Sequence, residues 1–143
     1  MKLKVLSFSG ENFAHENVTS VTVMTKSGEV TILNSHAPMI ASIEPCVLYT
    51  KYMDENNMEQ REDFAVGSGV VEVNNSSVKV MADMLIDVEE VDLNQAEQAK
   101  ARALEMMEKF KHSKDRVDME KFIEAEDMLL KSIAQLKLYD LRK

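Results

Sequence analysis

The spacing of apolar residues changes near Asp92, and this change constrains the fold more than any other feature of the chain. Before Asp92, short runs rich in β-branched residues, such as 18–24, alternate with turn residues that recur about every eight to twelve positions. After it, apolar residues recur about every 3.6 positions, the period of an α-helix. Because no helical pattern separates the strands, the first part favours an antiparallel sandwich or barrel over a parallel α/β sheet. We therefore predict an α+β fold, with an antiparallel β-sandwich over 1–87 and an antiparallel two-helix hairpin over 88–143.

The individual elements follow from local patterns. Gly28 suits a tight turn, Val30 and Ile32 alternate with polar residues as in a half-buried strand, and Pro38 ends that strand. Other predicted strands lie at 3–8, 18–24, 47–53, 60–66, 70–73 and 78–82.

The last third of the chain predicts two helices joined by the short polar segment 112–115. Asp92 with Gln95 is a plausible N-cap of the first helix, and Asp118 is a candidate cap of the second. The apolar stripe of the second helix is wider than one partner helix can cover, so it requires either the sandwich or another protein. The sequence leaves both options open.

Charge is distributed unevenly along the 143 residues. The formal net charge is −8, and all of the excess acid lies in 1–91, which contains 6 Lys or Arg and 14 Asp or Glu residues. This excess argues against a nucleic-acid partner, since phosphates would be repelled. No apolar run is long enough to cross a bilayer, no charged-then-apolar leader is recognisable, and the single Cys46 predicts no internal disulfide. We expect a soluble protein that is not exported.

Catalytic patterns are sparse. Gly67-Ser68-Gly69 is too short for a nucleophile elbow, and no phosphate-binding Gly-rich loop with its lysine is present. A jelly-roll metalloenzyme would need clustered ligands, whereas the three histidines lie in different predicted elements, at His15, His36 and His112. We predict no metal site and no catalytic residues.

Several short motifs together resemble the epsilon subunit of F-type ATP synthase. Gly28-Glu29, His36-Ala37-Pro38, Gly67-x-Gly69 with 71–73, and 78–83 look like successive signatures of that family, and 132–137 is similar to its second helix. The resemblance covers nearly the whole chain. It departs at Ser35-His36, where the family often has Gly-His, and at Pro45-Cys46, where the family often has Pro-Gly.

The resemblance implies a non-catalytic rotor subunit that couples the gamma subunit to the membrane-embedded c-ring during proton-driven ATP synthesis. Glu29 and His36 match the family's loop facing the ring and stalk, so we expect them to be contact residues. The hairpin is implied to change position and to inhibit ATP hydrolysis by the alpha/beta catalytic head. The basic residues expected to contact acidic segments of that head are Lys131, Lys137, Arg142 and Lys143.

Some family members bind regulatory ATP between the hairpin helices. Asp92 matches the aspartate of their motif and Arg102 matches a later arginine, but Gln95 replaces the motif's arginine and 119–137 contains no arginine. We therefore expect weak ATP binding or none, and no other cofactor.

The implied location is the cytoplasmic face of a bacterial cell membrane, reached indirectly through the c-ring. A chloroplast-encoded copy would also lack a targeting leader. The alternative from another class is a free-standing adaptor with the same two-domain layout, which would bind unrelated proteins.

Overall fold

The computed structural model describes residues 1–10 and 12–141 and shows a β-sandwich followed by two helices. Its strands are β1 (Lys2–Ser7), β2 (Asn12–His15), β3 (Val18–Thr25), β4 (Gly28–Leu33), β5 (Met39–Ile43), β6 (Cys46–Met53), β7 (Glu59–Val66), β8 (Gly69–Asn74), β9 (Ser77–Ala82) and β10 (Leu85–Asp87). The helices are a 3-10 turn (Val88–Glu90), α1 (Leu93–Phe110) and α2 (Arg116–Leu141).

The strands form one continuous hydrogen-bonded sheet that folds into the sandwich. Its order is β10-β7-β6-β3-β5-β8-β9-β1-β2, with β4 paired to β3. The pairing is antiparallel as predicted, except that β1 runs parallel to β9, with Leu3 beside Val78 and Val5 beside Val80. The alternation of apolar residues does not reveal this parallel pair, because the two strands are far apart in the sequence. The short strands β2, β5 and β10 are also absent from the prediction.

Side-chain alternation divides the apolar residues between two cores. Leu48 on β6 and Phe64 on β7 point into the sandwich, whereas their neighbours Val47 and Ala65 point outward and pack against α2. The sandwich core is completed by buried residues at Leu3, Val5, Val18, Val21, Val23, Ile32, Ile43, Val66, Val71, Val73, Val78, Val80, Ala82 and Leu85.

The hairpin lies folded against the sandwich. Ala134 and Leu138 of α2 are buried on Val47 and Ala65. The small residues Ala96 and Ala103 of α1 are buried, and α1 packs along α2. The sandwich therefore covers part of the wide stripe of α2, although Ile123 and Leu141 stay exposed.

The N-termini of both helices are capped, α1 at the predicted residue and α2 at a different residue from the predicted one. Asp92 caps α1 as predicted, its Oδ1 accepting the N–H of Gln95 at 3.0 Å. The prediction that Asp118 caps α2 is wrong, since α2 begins earlier and Asp115 accepts the N–H of Val117 at 2.9 Å. Asp118 lies within the first turn and accepts a hydrogen bond from the Ser113 hydroxyl.

The connection between sheet and helices is ordered by a local capping arrangement. The Asp87 N–H donates to Glu90 Oε1 at 3.1 Å across the 3-10 turn. The predicted division into domains, between 87 and 88, lies where β10 gives way to this turn. The division of the chain into two domains at this point stays a prediction.

Candidate functional site

The two expected contact residues lie at opposite ends of β4. Glu29 is the second residue of β4, and His36 follows three residues after its last residue, Leu33. Four steps of an extended strand separate Glu29 from Leu33, or about 13 Å. The two residues therefore do not form one compact site, and a partner contacting both must span the length of β4.

Backbone and terminal contacts support the loop that carries His36. His36 Nδ1 lies 2.7 Å from the Ala37 carbonyl oxygen, and the amino group of Met1 donates to Asn34 Oδ1 at 2.9 Å. Ser35 has a φ of 67°, in the left-handed region that glycine adopts more readily. The family that the chain resembles often has glycine at this position.

Glu29 lies at the other end, beside the hairpin. It lines a groove of about 280 Å³ between β6 and α2, together with Tyr49, Ile133 and Lys137. Cys46 lines the same groove, and burial raises the pKa of its thiol. In the folded hairpin, therefore, Glu29 is close to one of the lysines predicted to contact the catalytic head.

Lys131 joins α2 to the sandwich through a polar cluster that local sequence patterns do not reveal. Its Nζ lies 2.9 Å from Asp83 Oδ2 and 3.0 Å from Asp127 Oδ2, and the Ser68 hydroxyl donates to Asp127 Oδ1 at 3.0 Å. Partial burial alone would lower the pKa of Lys131, but the two carboxylates outweigh burial and raise it. We call Ser68, Asp83, Asp127 and Lys131 the latch cluster.

The latch cluster depends on a close approach of two loops. Asp83 N–H donates to the Ser68 carbonyl at 3.0 Å, and Gly67 N–H donates to the Met84 carbonyl at 3.0 Å. Both Gly67 and Asp83 belong to motifs that carry the family resemblance. Gly67, Asp83 and Lys131 are far apart in the sequence, so no local pattern indicates that they come into contact.

Lys137 also contacts the sandwich, through an aromatic ring. Its Nζ lies 5.8 Å from the centroid of the Tyr49 ring, and the Arg61 guanidinium carbon lies 5.1 Å from the same centroid. Two cations thus approach one ring, one from β7 and one from α2. The other basic residues predicted to contact the head, Arg142 and Lys143, lie outside the described residues.

The two candidate nucleotide contacts lie far apart along α1. Asp92 uses a carboxylate oxygen to cap the helix, and Arg102 is exposed ten residues later. Ten residues of α-helix rise by about 15 Å. Asp92 and Arg102 therefore do not form a single compact site, and weak ATP binding or none stays a prediction.

An exposed apolar patch lies on the face of the sheet opposite its core. Val70 of β8 is paired directly with Met81 of β9, and Ile40 lies two residues from Ser42, the partner of Val70 in β5. Their exposed fractions are 74% for Ile40, 42% for Val70 and 41% for Met81. Strand alternation predicts such outward residues, but the sequence alone does not show that they are neighbours.

Within 1–10 and 12–141, no group of three or more His, Cys, Asp or Glu side chains has an arrangement that could hold a metal ion. Among the same residues, neither helix combines the length and apolarity needed to cross a membrane.

A β-sandwich with a helical hairpin docked on its outer face defines the class of small proteins built from these two parts. Residues 1–88 match the family model of the ATP synthase delta/epsilon chain β-sandwich domain. The chain belongs to this family.

Its relatives are ATP synthase epsilon chains. The chain is 30% identical to the epsilon chain of Ligilactobacillus salivarius over 87% of this chain and 85% of the relative. It is 27% identical to the epsilon chain of Staphylococcus aureus over 96% of this chain and 98% of the relative. These alignments extend through both the sandwich and the hairpin.

Solved structures share the fold at lower sequence identity. A chain in the Euglena gracilis mitochondrial ATP synthase structure, described as OSCP/F1/c-ring, superposes with a TM-score of 0.72 at 21% identity and covers 94% of this chain and 78% of that chain. A chain in the Tetrahymena thermophila mitochondrial ATP synthase central stalk and c-ring superposes with a TM-score of 0.55 at 19% identity, covering 66% of this chain and 72% of that chain.

Proposed function

We propose that this protein is a non-catalytic subunit of the rotor of an F-type ATP synthase, where it links the gamma subunit to the c-ring during proton-driven ATP synthesis. The main support is that the match to curated epsilon chains extends over both parts of the protein. Fold similarity to chains of mitochondrial ATP synthase agrees with this assignment. The protein then reaches the cytoplasmic face of a bacterial cell membrane only through its partners.

The sandwich is the part we assign to the stalk and ring. His36 lies on a loop held by Asn34 and the N-terminus, and Glu29 is exposed at the far end of β4. A rigid sheet that presents fixed side chains at both ends of one strand suits a subunit that transmits torque. Ile40, Val70 and Met81 supply uncovered apolar surface for a neighbouring subunit.

The hairpin is the part we assign to regulation. In an extended state its basic residues Lys131, Lys137, Arg142 and Lys143 would contact acidic segments of the alpha/beta head and inhibit hydrolysis. The folded arrangement buries Ala134 and Leu138 on the sandwich, and an extended arrangement would have to cover those side chains with other subunits. If the partner subunits cover as much apolar surface as the sandwich does, a difference of a few kcal/mol would set the populations of the two arrangements. Regulatory ATP, if bound at all, would bind weakly near Asp92 and Arg102.

Reconstitution with a purified catalytic head and its gamma subunit tests the assignment. We expect the full chain to bind gamma and to reduce ATP hydrolysis, and we expect the variant with all four basic residues replaced by alanine to bind but to inhibit less. Failure to bind gamma would overturn the rotor assignment. Equal inhibition by the two proteins would overturn the role of the basic residues.

A second comparison tests the sandwich contacts. Glu29→Ala and His36→Ala should weaken binding to the complex of gamma and c-ring, whereas Glu124→Ala, an exposed glutamate of α2, serves as a matched control. Unchanged binding by both sandwich variants would exclude these two residues as contacts.

A further inference from the structure

The latch cluster crosses the boundary between the two parts of the chain at two points. The Lys131 ammonium bonds to Asp83 of the sandwich at 2.9 Å, and the Ser68 hydroxyl of the sandwich bonds to Asp127 of α2 at 3.0 Å. Asp127 lies four residues before Lys131 on the same helix, so that pair remains available wherever the hairpin goes. The Asp83–Lys131 pair exists only while α2 lies on the sandwich.

We propose that Asp83 is an internal competitor for Lys131, and that it holds the hairpin in the folded position by occupying the ammonium that an acidic partner would otherwise bind. The Asp83–Lys131 ion pair, which we call the latch, is a property of the isolated chain. Its consequence for ATP hydrolysis rests on the proposed function.

Burial makes the latch more than a surface ion pair. The exposed fractions of the Lys131 and Asp83 side chains are 27% and 32%, and solvent screens such a pair less than one on the open surface. Asp83 Oδ1 is buried, and within the described residues it has no hydrogen-bond partner. Removing Lys131 would therefore leave a partly buried carboxylate without its counter-charge.

The overall charge distribution acts in the same direction. The excess negative charge of the chain lies in 1–91, while 92–143 contains equal numbers of acidic and basic residues. The negative charge of the sandwich therefore attracts the ammonium groups of Lys131 and Lys137. An acidic partner opens the hairpin only if its contacts with the extended form outweigh the contacts that opening breaks, the Asp83–Lys131 pair among them.

Two variants of the full chain separate the latch from simple loss of charge. Asp83→Asn and Lys131→Gln both break the Asp83–Lys131 ion pair. Only Asp83→Asn keeps the Lys131 ammonium, paired then with Asp127 alone, so that a partner can still bind it. Glu72→Gln is the matched control, since it removes one negative charge from an exposed position on β8.

The first measurement uses the isolated chain without partners. Spin labels at Lys79→Cys on β9 and Lys114→Cys at the hairpin connection, in a Cys46→Ala background, report the distance between sandwich and hairpin by pulsed electron paramagnetic resonance. The labelled chain with the Asp83–Lys131 pair intact should give one distance population. Asp83→Asn and Lys131→Gln should each add a longer one, as should 1 M salt, which shortens the screening length to about 3 Å. Circular dichroism checks that both variants stay folded, and unchanged distances in both would overturn the latch.

The second measurement uses the catalytic head. Asp83→Asn should inhibit hydrolysis at a concentration about fivefold lower than the unmodified chain requires, the lower end of typical coupling effects, whereas Lys131→Gln should not. Equal inhibition by the two variants would overturn the competition. If no form of the chain inhibits, including the unmodified one, the regulatory part of the proposed function fails, while the distance measurement still decides the latch.

Discussion

The carboxylate of Asp83 occupies the space that a β-carbon on residue 67 would need. Asp83 Oδ1 and Cγ lie against that position, and Lys131 Cε lies 3.1 Å from it. Gly67 therefore permits the approach of the sandwich loops to α2, since any larger residue would displace the group that pairs with Lys131.

Gly67→Ala should lower the free energy of unfolding by about 1–3 kcal/mol, because the added methyl group forces Asp83 away from Lys131. Urea denaturation followed by circular dichroism measures the loss. In the Asp83→Ala background the same substitution should cost under about 1 kcal/mol, since the clash is gone. A loss of equal size in both backgrounds would show that Gly67 is required for some other reason.

Leu138→Ala should lower the free energy of unfolding by about 2–5 kcal/mol, because this side chain is 2% exposed and packs on the outer face of the sandwich. Leu141→Ala, one turn later, is the matched control. Leu141 is 46% exposed, so its truncation should cost less than about 1 kcal/mol. Similar losses from the two variants, measured by urea denaturation, would contradict the docking of α2 through Leu138.

Asp115→Ala should lower the free energy of unfolding by about 1 kcal/mol, because the first turn of α2 loses the side chain that accepts the Val117 N–H. Asp115→Asn keeps an accepting oxygen and should retain most of that stability. Thermal unfolding of the two variants and the unmodified chain tests the assignment. Equal destabilisation by Ala and Asn would indicate that charge, rather than capping, matters at this position.

Glu62→Gln should leave the protein at least as stable as the unmodified chain at pH 7. Burial, followed by the nearby Asp87 carboxylate, raises the pKa of Glu62 above its ordinary value of 4.5. The folded state therefore holds this proton more tightly than the unfolded state. The resulting stabilisation is complete below the ordinary value and is lost as the pH rises through the raised pKa.

The stability difference between Glu62→Gln and the unmodified chain should shrink as the pH falls from 7 towards 4. Urea denaturation across this range measures it, with Glu59→Gln at an exposed position of the same strand as the control. A Glu62→Gln variant that is less stable than the unmodified chain at pH 7 would contradict the prediction.

Local patterns were sufficient for much of the fold. Alternation located the strands around Val21, Leu48 and Val80, and the change of period at Asp92 located the start of α1, because both signals arise from neighbouring residues alternating between core and solvent. The cap of α2 was misplaced by three residues, since Asp115 and Asp118 both suit an N-cap and only the backbone path distinguishes them.

The candidate site was less predictable. Glu29 and His36 are close in sequence and were both assigned to one loop of the family, but the extended strand between them carries them to opposite ends of β4. Lys131 and Lys137 were identified by their charge and by the family resemblance, and the structure adds the sandwich groups that contact them, Asp83 and Tyr49.

The sequence by itself determined the order of the longer strands and of the two helices, the excess of acid in the first part and the apolar stripe of α2, because each depends on residues near one another in the chain. Only the tertiary structure decided that β1 lies parallel to β9, that Leu138 packs on Val47 and Ala65, and that Asp83 forms an ion pair with Lys131. Those contacts join segments far apart in sequence. They form only when folding has brought together surfaces that no local pattern can relate to one another.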